Sequence, residues 1–291
     1  MIYYLTKMNE RFDIVAFGEI LWDVIDGVPH LGGAPFNFAA HAARCGLKPA
    51  IVSAVGDDEL GQRALEAASG FGVDTSGVSV HPNLPTGTVN VTLADGIPSY
   101  EIVRPVTWDE IMGGSCPVTT SDATERVPPR AFYFGTLAQR SPVSAATLER
   151  MLQMYESSLV FFDVNLRQDF WSVEIVEKGL AHTDILKVND EEMQRLGFAP
   201  ERLFARFQRL KTVVETRGAA GCRVTSRTGE AFDSPAITDG PVVDTIGAGD
   251  SFSAAFLAAV LRGESLAAAA EAGNRLAGKV AARAGAIPDD L

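Results

Sequence analysis

Short apolar runs alternate with stretches whose apolar positions lie three and four apart, and this rhythm sets the first expectations. Asp13–Gly18 (DIVAFG) is an apolar run closed by glycine, the pattern of a buried strand. Pro35–Cys45 follows with Phe36, Ala39, Ala40 and Ala43 at helical spacing. Proline suits the first turn of a helix, and Gly46 ends it. Pro49–Val55 reads as a second buried strand. Asp58–Phe71 is amphipathic, with Leu60, Ala64, Leu65, Ala68 and Phe71 on one side and Gly72 as its stop. Strand, helix, strand, helix predicts a parallel sheet.

Thr86–Ala94 breaks the rhythm. Thr88, Asn90 and Thr92 alternate with Val89, Val91 and Leu93, which predicts a half-buried antiparallel strand. Asp95-Gly96 is a hairpin signal, and Ser99–Arg104 supplies the returning strand. A small β element therefore interrupts the α/β body and draws in the residues around Glu19–Leu31. From Ala131 the rhythm resumes. Strands are expected at Ala131–Phe134, Leu159–Val164, Ile185–Val188 and Thr212–Glu215, with edge strands at Cys222–Thr225 and Ala231–Asp233. Helices are expected at Val143–Tyr155, Glu191–Leu196, Pro200–Phe207, Gly249–Leu261 and Ser265–Ala284. No repeat, linker or low-complexity segment divides the chain, so residues 1–291 read as one α/β domain with a β flap.

Composition removes several function classes. With 25 Lys and Arg against 37 Asp and Glu, the formal net charge is −12. Phosphate backbones are bound by clustered cations, so nucleic acid is an unsuitable partner, while a single nucleotide needs only local donors. Cys45, Cys116 and Cys222 are odd in number and widely spaced, without a CxxC pair. They read as incidental thiols in a reducing compartment rather than a zinc site or disulfide frame. His30, His41, His81 and His182 are scattered and read as structural. Met1–Arg11 lacks the charged-then-apolar pattern of a signal peptide, and Met8 is an alternative start. The Ala-rich stretch Ser253–Ala284 is broken by Arg262, Glu264, Glu271, Arg275 and Lys279, so it does not read as a membrane span. The expectation is a soluble, cytoplasmic protein.

The strongest chemical signal is Asp244-Thr245-Ile246-Gly247-Ala248-Gly249-Asp250, followed at once by a helical stretch. Glycines let the backbone turn sharply and approach a ligand. A helix starting there turns free N–H groups and a positive dipole end toward an anion. Asp250 falls in the first turn, in reach of both that anion and a bound acceptor, as a general base requires. No GxxxxGK[ST] run exists for a P-loop. The first strand runs into Glu19-Ile20-Leu21-Trp22-Asp23 rather than GxGxxG, which disfavours NAD.

These residues resemble the ribokinase-like (PfkB) carbohydrate kinases over nearly the whole chain. DTIGAGDSF at 244–252 matches that family's late signature, and LGGAPFNFA at 31–39 matches its early one. GEILWD at 18–23 resembles its fructokinase-like branch, and Asn189 with Glu192 matches its N-x-x-E motif. The resemblance implies a three-layer αβα fold with a mainly parallel sheet and a small β-sheet lid built from about 19–31 and 86–108. It implies that Asp250 is the catalytic base and that Gly247, Ala248 and Gly249 form an anion hole. Asp23, Gly32, Gly33 and Asn37 resemble the sugar-binding residues. Asp163-Val164-Asn165-Leu166-Arg167 resembles the D-x-N-x-R of fructokinases and 2-keto-3-deoxygluconate kinases, with Arg167 holding phosphate or a polar substrate group.

On the nucleotide side the resemblance implies Asn189, Thr216, Gly218 and Asn274. Glu192 would serve Mg²⁺ through water, and Asp244 and Ile246 would belong to a loop for K⁺. The implied reaction is transfer of the γ-phosphoryl group of ATP to a primary hydroxyl of a small sugar, with fructose first. A 2-keto-3-deoxy sugar acid is the alternative, with Arg104 as a second cation on the lid. A non-catalytic sugar- or nucleotide-binding regulator is the alternative of another class, opposed by the intact Asp250 and glycines. A homodimer paired through the lid is expected, since pairing would cover its strand edges.

Overall fold

The computed structural model describes residues 11–94, 97–112 and 127–291. Met8, the Asp95-Gly96 hairpin signal and Cys116 lie outside the described residues. The chain opens with β1 (Ile14–Phe17), β2 (Leu21–Ile25), β3 (Val28–Gly32), α1 (Ala34–Arg44), β4 (Pro49–Gly56), α2 (Glu59–Gly70) and β5 (Asp74–His81). Then come β6 (Gly87–Ala94), β7 (Ile97–Ile102), β8 (Ala131–Gly135), α3 (Pro142–Met154), β9 (Leu159–Asp163), α4 (Val173–Leu180) and β10 (Ile185–Asn189). The last part holds α5 (Asp190–Leu196), α6 (Pro200–Arg206), β11 (Thr212–Thr216), β12 (Cys222–Ser226), β13 (Ala231–Ser234), α7 (Ala248–Leu261) and α8 (Leu266–Ala281).

Nine of the described strands form one sheet in the order β13-β12-β11-β10-β9-β8-β1-β4-β5. All neighbours from β11 to β5 run parallel, and β12 and β13 are antiparallel additions. Successive residues of the central strands feed opposite faces, as the two-residue period of a strand demands. Val15, Phe17, Phe132, Phe134 and Phe162 pack in one cluster with side chains of α3, α4, α5 and α6. Ile14, Ala16, Tyr133 and Phe161 pack in the other with α1, α2, α7 and α8. Both faces are thus dry, which is why these strands read as unbroken apolar runs. Aromatic stacking fills each layer: Phe134 on Phe162 at 4.5 Å, and Phe38 on Tyr133 at 3.7 Å.

The small sheet has the order β3-β2-β6-β7, with β2 and β6 parallel and both outer pairs antiparallel. Its last strand ends at Ile102, two residues before the expected Arg104. The reason is local packing. Val106, Trp108 and Ile111 are buried in the body, and Thr107–Glu110 is a single 3-10 turn. Arg140 lies 3.8 Å over the Trp108 ring and grips Asp109 with two hydrogen bonds, of 2.7 and 2.9 Å. Two further ties fix the small sheet to α2. Trp22 Nε1–H donates to the Leu60 carbonyl at 3.0 Å, and Asp58 accepts from both the Thr86 hydroxyl and its N–H. Trp22 is therefore held against α2 rather than turned toward a ligand.

Two elements were not expected from the pattern. β5 carries Thr75, Ser76 and Ser79 among its few apolar residues, so an edge strand looks like a loop. α4 is eight residues long, too short for a clear helical period. One expectation is corrected: Cys222–Thr225 is not an edge, because β12 lies between β11 and β13. Among the described residues no helix is long and apolar enough to cross a membrane.

Candidate active site

The glycine-rich turn does what its sequence requires. Gly247 adopts φ 76, a left-handed conformation that favours glycine, and α7 begins with Ala248. A Cβ on Gly247 would lie 2.5 Å from the Ala286 carbonyl oxygen, so the residue is excluded from growing for a second reason. The start of α1 is built the same way. Gly33 has φ 106, and a Cβ there would lie 2.5 Å from the Glu19 carbonyl oxygen. The two helix starts meet through their side chains: Asn37 Nδ2–H donates to Asp250 Oδ2 at 2.9 Å, across 213 residues of chain. α1 leaves β3 of the small sheet and α7 follows the segment after β13, so the contact joins the small sheet's end to the body.

Acidic groups crowd this cleft. Loss of hydration pushes the Asp250 carboxyl up to about 6, and the Asp163 charge adds to the rise, while Asn37, Lys187 and Arg167 oppose it. Burial lifts Glu19 further, to about 7, with Arg167 opposing and Asp250 adding. Asp23 is also raised by desolvation, with Arg167 and His30 both opposing. The exposed Arg167 is thus near enough for its charge to act on Glu19, Asp23 and Asp250 together. Gly32 leaves room for this group, since a Cβ there would lie 2.7 Å from Asp23 Oδ2.

If Asp250 is the base that the sequence resemblance implies, it must be deprotonated to act, and its raised carboxyl predicts an acid limb. Turnover per encounter, kcat/KM, is expected to fall about tenfold per pH unit below about pH 6 and to flatten above it. A pH–rate profile checks this, and a rate unchanged between pH 5 and pH 7 would contradict it.

Beneath the glycine turn lies a buried polar network. Lys187 Nζ pairs with Asp163 Oδ1 at 3.0 Å. Ser253 donates to Asp163 Oδ2 at 2.9 Å, and the Tyr133 hydroxyl lies 3.4 Å from the same oxygen. Burial pushes Lys187 toward neutrality, but the Asp163 and Glu192 charges outweigh it and hold the ammonium above its usual range. Its Nζ would stand 3.2 Å from a Cβ on Gly249, so the cation sits directly under the turn. The sequence reading passed over Lys187, Ser253 and Glu19. The available signal was a lone cation inside the apolar strand Ile185-Leu186-Lys187-Val188.

Asn189 and Glu192 form a capping box at the start of α5, with bonds of 2.7 and 2.9 Å. The second Glu192 oxygen accepts the Leu166 N–H at 2.8 Å. One carboxylate therefore holds both the α5 start and the loop carrying Arg167, in which Asn165 and Gln168 have positive φ. Thr216 pairs in register with Asn189, and Gly218 follows at φ 51, so Asn189, Thr216 and Gly218 gather at neighbouring strand ends. Arg104 is exposed and lies 5.4 Å over the Phe170 ring, beside the Arg167 loop rather than at Asp250. Asn274 is not turned outward. Its amide donates to Ser234 and to the Pro235 carbonyl, which ties α8 to the end of β13. Asp244 accepts from the N–H groups of Ile246 and Gly285, closing its loop onto the chain's end.

The chemistry of these groups fits a phosphorylated nucleotide with Mg²⁺. Among the described residues no three His, Cys, Asp or Glu side chains gather as a metal cluster. Mg²⁺ needs no such cage, because it keeps its waters and takes phosphate oxygens.

Comparison with known proteins gives a consistent result. The family model described as "pfkB family carbohydrate kinase" matches residues 1–291. A fructokinase of Rhizobium leguminosarum is 30% identical over 268 residues, 85% of this chain and 79% of that one. An uncharacterized sugar kinase of Pyrococcus horikoshii, solved in complex with ATP, is 28% identical with a TM-score of 0.80, covering 94% of each chain. A Vibrio cholerae fructokinase double mutant, solved with fructose, ADP and potassium ion, shares the fold with a TM-score of 0.82 at 22% identity, covering 96% of each chain.

Proposed function

The chain belongs to the pfkB family of carbohydrate kinases, and from that premise we propose that it transfers the γ-phosphoryl group of ATP to a primary hydroxyl of fructose. The observation that carries this reading is the Asn37–Asp250 hydrogen bond. It sets the one carboxylate in the first turn of α7 against the glycine-opened start of α1. A sugar held by Asp23, Asn37 and the bare backbone at Gly32 and Gly33 would present its hydroxyl to Asp250. Phosphate oxygens would meet the N–H groups of Gly247, Ala248 and Gly249.

In this mechanism Asp250 accepts the proton of the attacking hydroxyl as its oxygen reaches the γ-phosphorus in line. The turn at 247–249 meets charge as it develops, and Lys187 beneath it adds a fixed positive field. Mg²⁺, when bound, would neutralise the phosphates, with Asn189 and Glu192 acting on it through waters and the buried Glu192 supplying its charge from behind the α5 start. Thr216 and Gly218 stand at the nucleotide end of the sheet. Asn274 supports that end from within by fixing Ser234 and Pro235. Asp244 and Ile246 shape the loop closed by Gly285, whose carbonyls suit K⁺.

A second acceptor is favoured by one observation. Exposed Arg104 lies over Phe170 beside the loop that carries Arg167, and the Arg167 charge acts on Asp23, so two cations stand on that side of the proposed sugar site. Such a pair would suit the carboxylate of 2-keto-3-deoxygluconate. Initial rates with fructose, 2-keto-3-deoxygluconate, ribose, tagatose and adenosine, each in K⁺ and in Na⁺, decide between them. Highest kcat/KM with fructose is expected, with a rise in K⁺. Dominance of the keto acid would overturn the fructose assignment, and equal rates in both salts would overturn the K⁺ assignment.

A further inference from the structure

α1 carries a polar stripe, buried at Asn37 and His41 and exposed at Arg44, that none of the roles above uses in full. Asn37, His41 and Arg44 lie four and three residues apart, hence on one helix face. Asn37 holds Asp250. His41 Nε2 stands 2.8 Å from the Ala286 carbonyl oxygen, and Arg44 donates to the Pro288 carbonyl at 2.6 Å. A carbonyl only accepts, so Nε2 carries the proton. The three side chains therefore bind one catalytic carboxylate and two carbonyls of the terminal segment.

Ala286 is the residue against which the glycine turn rests. A Cβ on Gly247 would meet its oxygen at 2.5 Å, its Cα at 2.7 Å and its own Cβ at 2.9 Å. The wall behind the proposed anion hole is thus a backbone unit whose carbonyl is fixed by His41. The histidine is an awkward choice for packing alone. It is fully buried among apolar neighbours, and its Nδ1 has no hydrogen-bond partner. Burial also lowers its pKa to about 4, so it carries no charge at neutral pH. A Leu or Met would fill the same space without an unmatched polar atom. What the imidazole adds is the bond to Ala286.

We propose that His41 is a positioning residue for phosphoryl transfer, holding Ala286 against Gly247 so that the N–H groups of the turn stay aimed at the transferred group. This inference rests on the kinase reading above. Donors in such a site act through placement fixed before reaction, so loosening their support lowers the rate of the chemical step more than ground-state binding.

The test compares His41→Met, which removes the donor, with His41→Gln, which keeps a donor of similar reach. Sugar phosphorylation is measured with the best acceptor of the panel, alongside melting temperature. For His41→Met, kcat is expected to fall about ten- to a hundredfold. KM for ATP and for sugar should stay within about twofold, because uniform binding is untouched. His41→Gln is expected to recover most of the lost kcat. Equal kcat in the two variants, a change confined to KM, or a His41→Met chain that does not fold would each overturn the positioning role. The parent protein separates the two levels of the argument. An inactive parent contradicts the kinase reading, whereas an active parent with an equally active His41→Met contradicts only this inference.

Discussion

Asp250→Asn is expected to fold as the parent protein does and to lose turnover by about a hundred- to ten-thousandfold, the usual contribution of a positioned general base. The substitution is nearly isosteric, and the amide oxygen can still accept from Asn37 Nδ2. What disappears is the acceptor for the hydroxyl proton. Stability moves the other way. The Asp250 carboxyl is raised above its unfolded value, so its ionisation opposes folding as pH rises from about 4 through about 6. Removing it also removes repulsion with Asp163. The melting temperature of Asp250→Asn at pH 7.5 should therefore equal or exceed that of the parent. Turnover within tenfold of the parent would remove Asp250 from the reaction.

Lys187→Met is expected to have the largest effect on stability. It leaves Asp163, 1% exposed, without its cation, and only Ser253 and Tyr133 remain near its second oxygen. Breaking a buried pair from one side costs about 3–5 kcal/mol, because the surviving charge keeps its desolvation without compensation. Replacing Asp163 as well, by Lys187→Met with Asp163→Leu, should restore a large part of that loss. Urea unfolding of the parent, the single and the double variant measures both steps. A single variant within 1 kcal/mol of the parent, by the same scale of pair energies, would show that the pair is dispensable.

The sequence made the body of the fold readable where burial is two-sided. Strands such as Ile14–Phe17 and, apart from Ser53, Pro49–Gly56 are apolar runs because helices cover both faces. It also marked the start of α7, since a glycine with positive φ followed by an acidic first turn is a local feature. Local chemistry could not reveal β5, whose two valines are outnumbered by polar residues on both faces, or α4, which is too short for a period. The site shows the same division. Asp250 is identified by its neighbours in sequence. Its partner Asn37, and the Lys187–Asp163 pair beneath it, are tertiary contacts over long separations. Asn274 shows that a motif position and its contacts can differ, since its amide is spent inside the protein on Ser234 and Pro235.

These contacts share one logic. α1 and α7 pack together with their first turns at one cleft, and each brings half of the proposed reaction centre. Asn37 and His41 on α1 hold Asp250 and the wall of the turn, while α7 supplies the turn and Asp250 itself.

The most direct test of the account is sugar-dependent ADP release from Mg·ATP at pH 7.5, measured for the parent and for Asp250→Asn in the same preparation. The account predicts rapid release by the parent only when an acceptor sugar is present, and near-silence from the variant. ADP release that ignores the sugar, or that survives in Asp250→Asn, would contradict it.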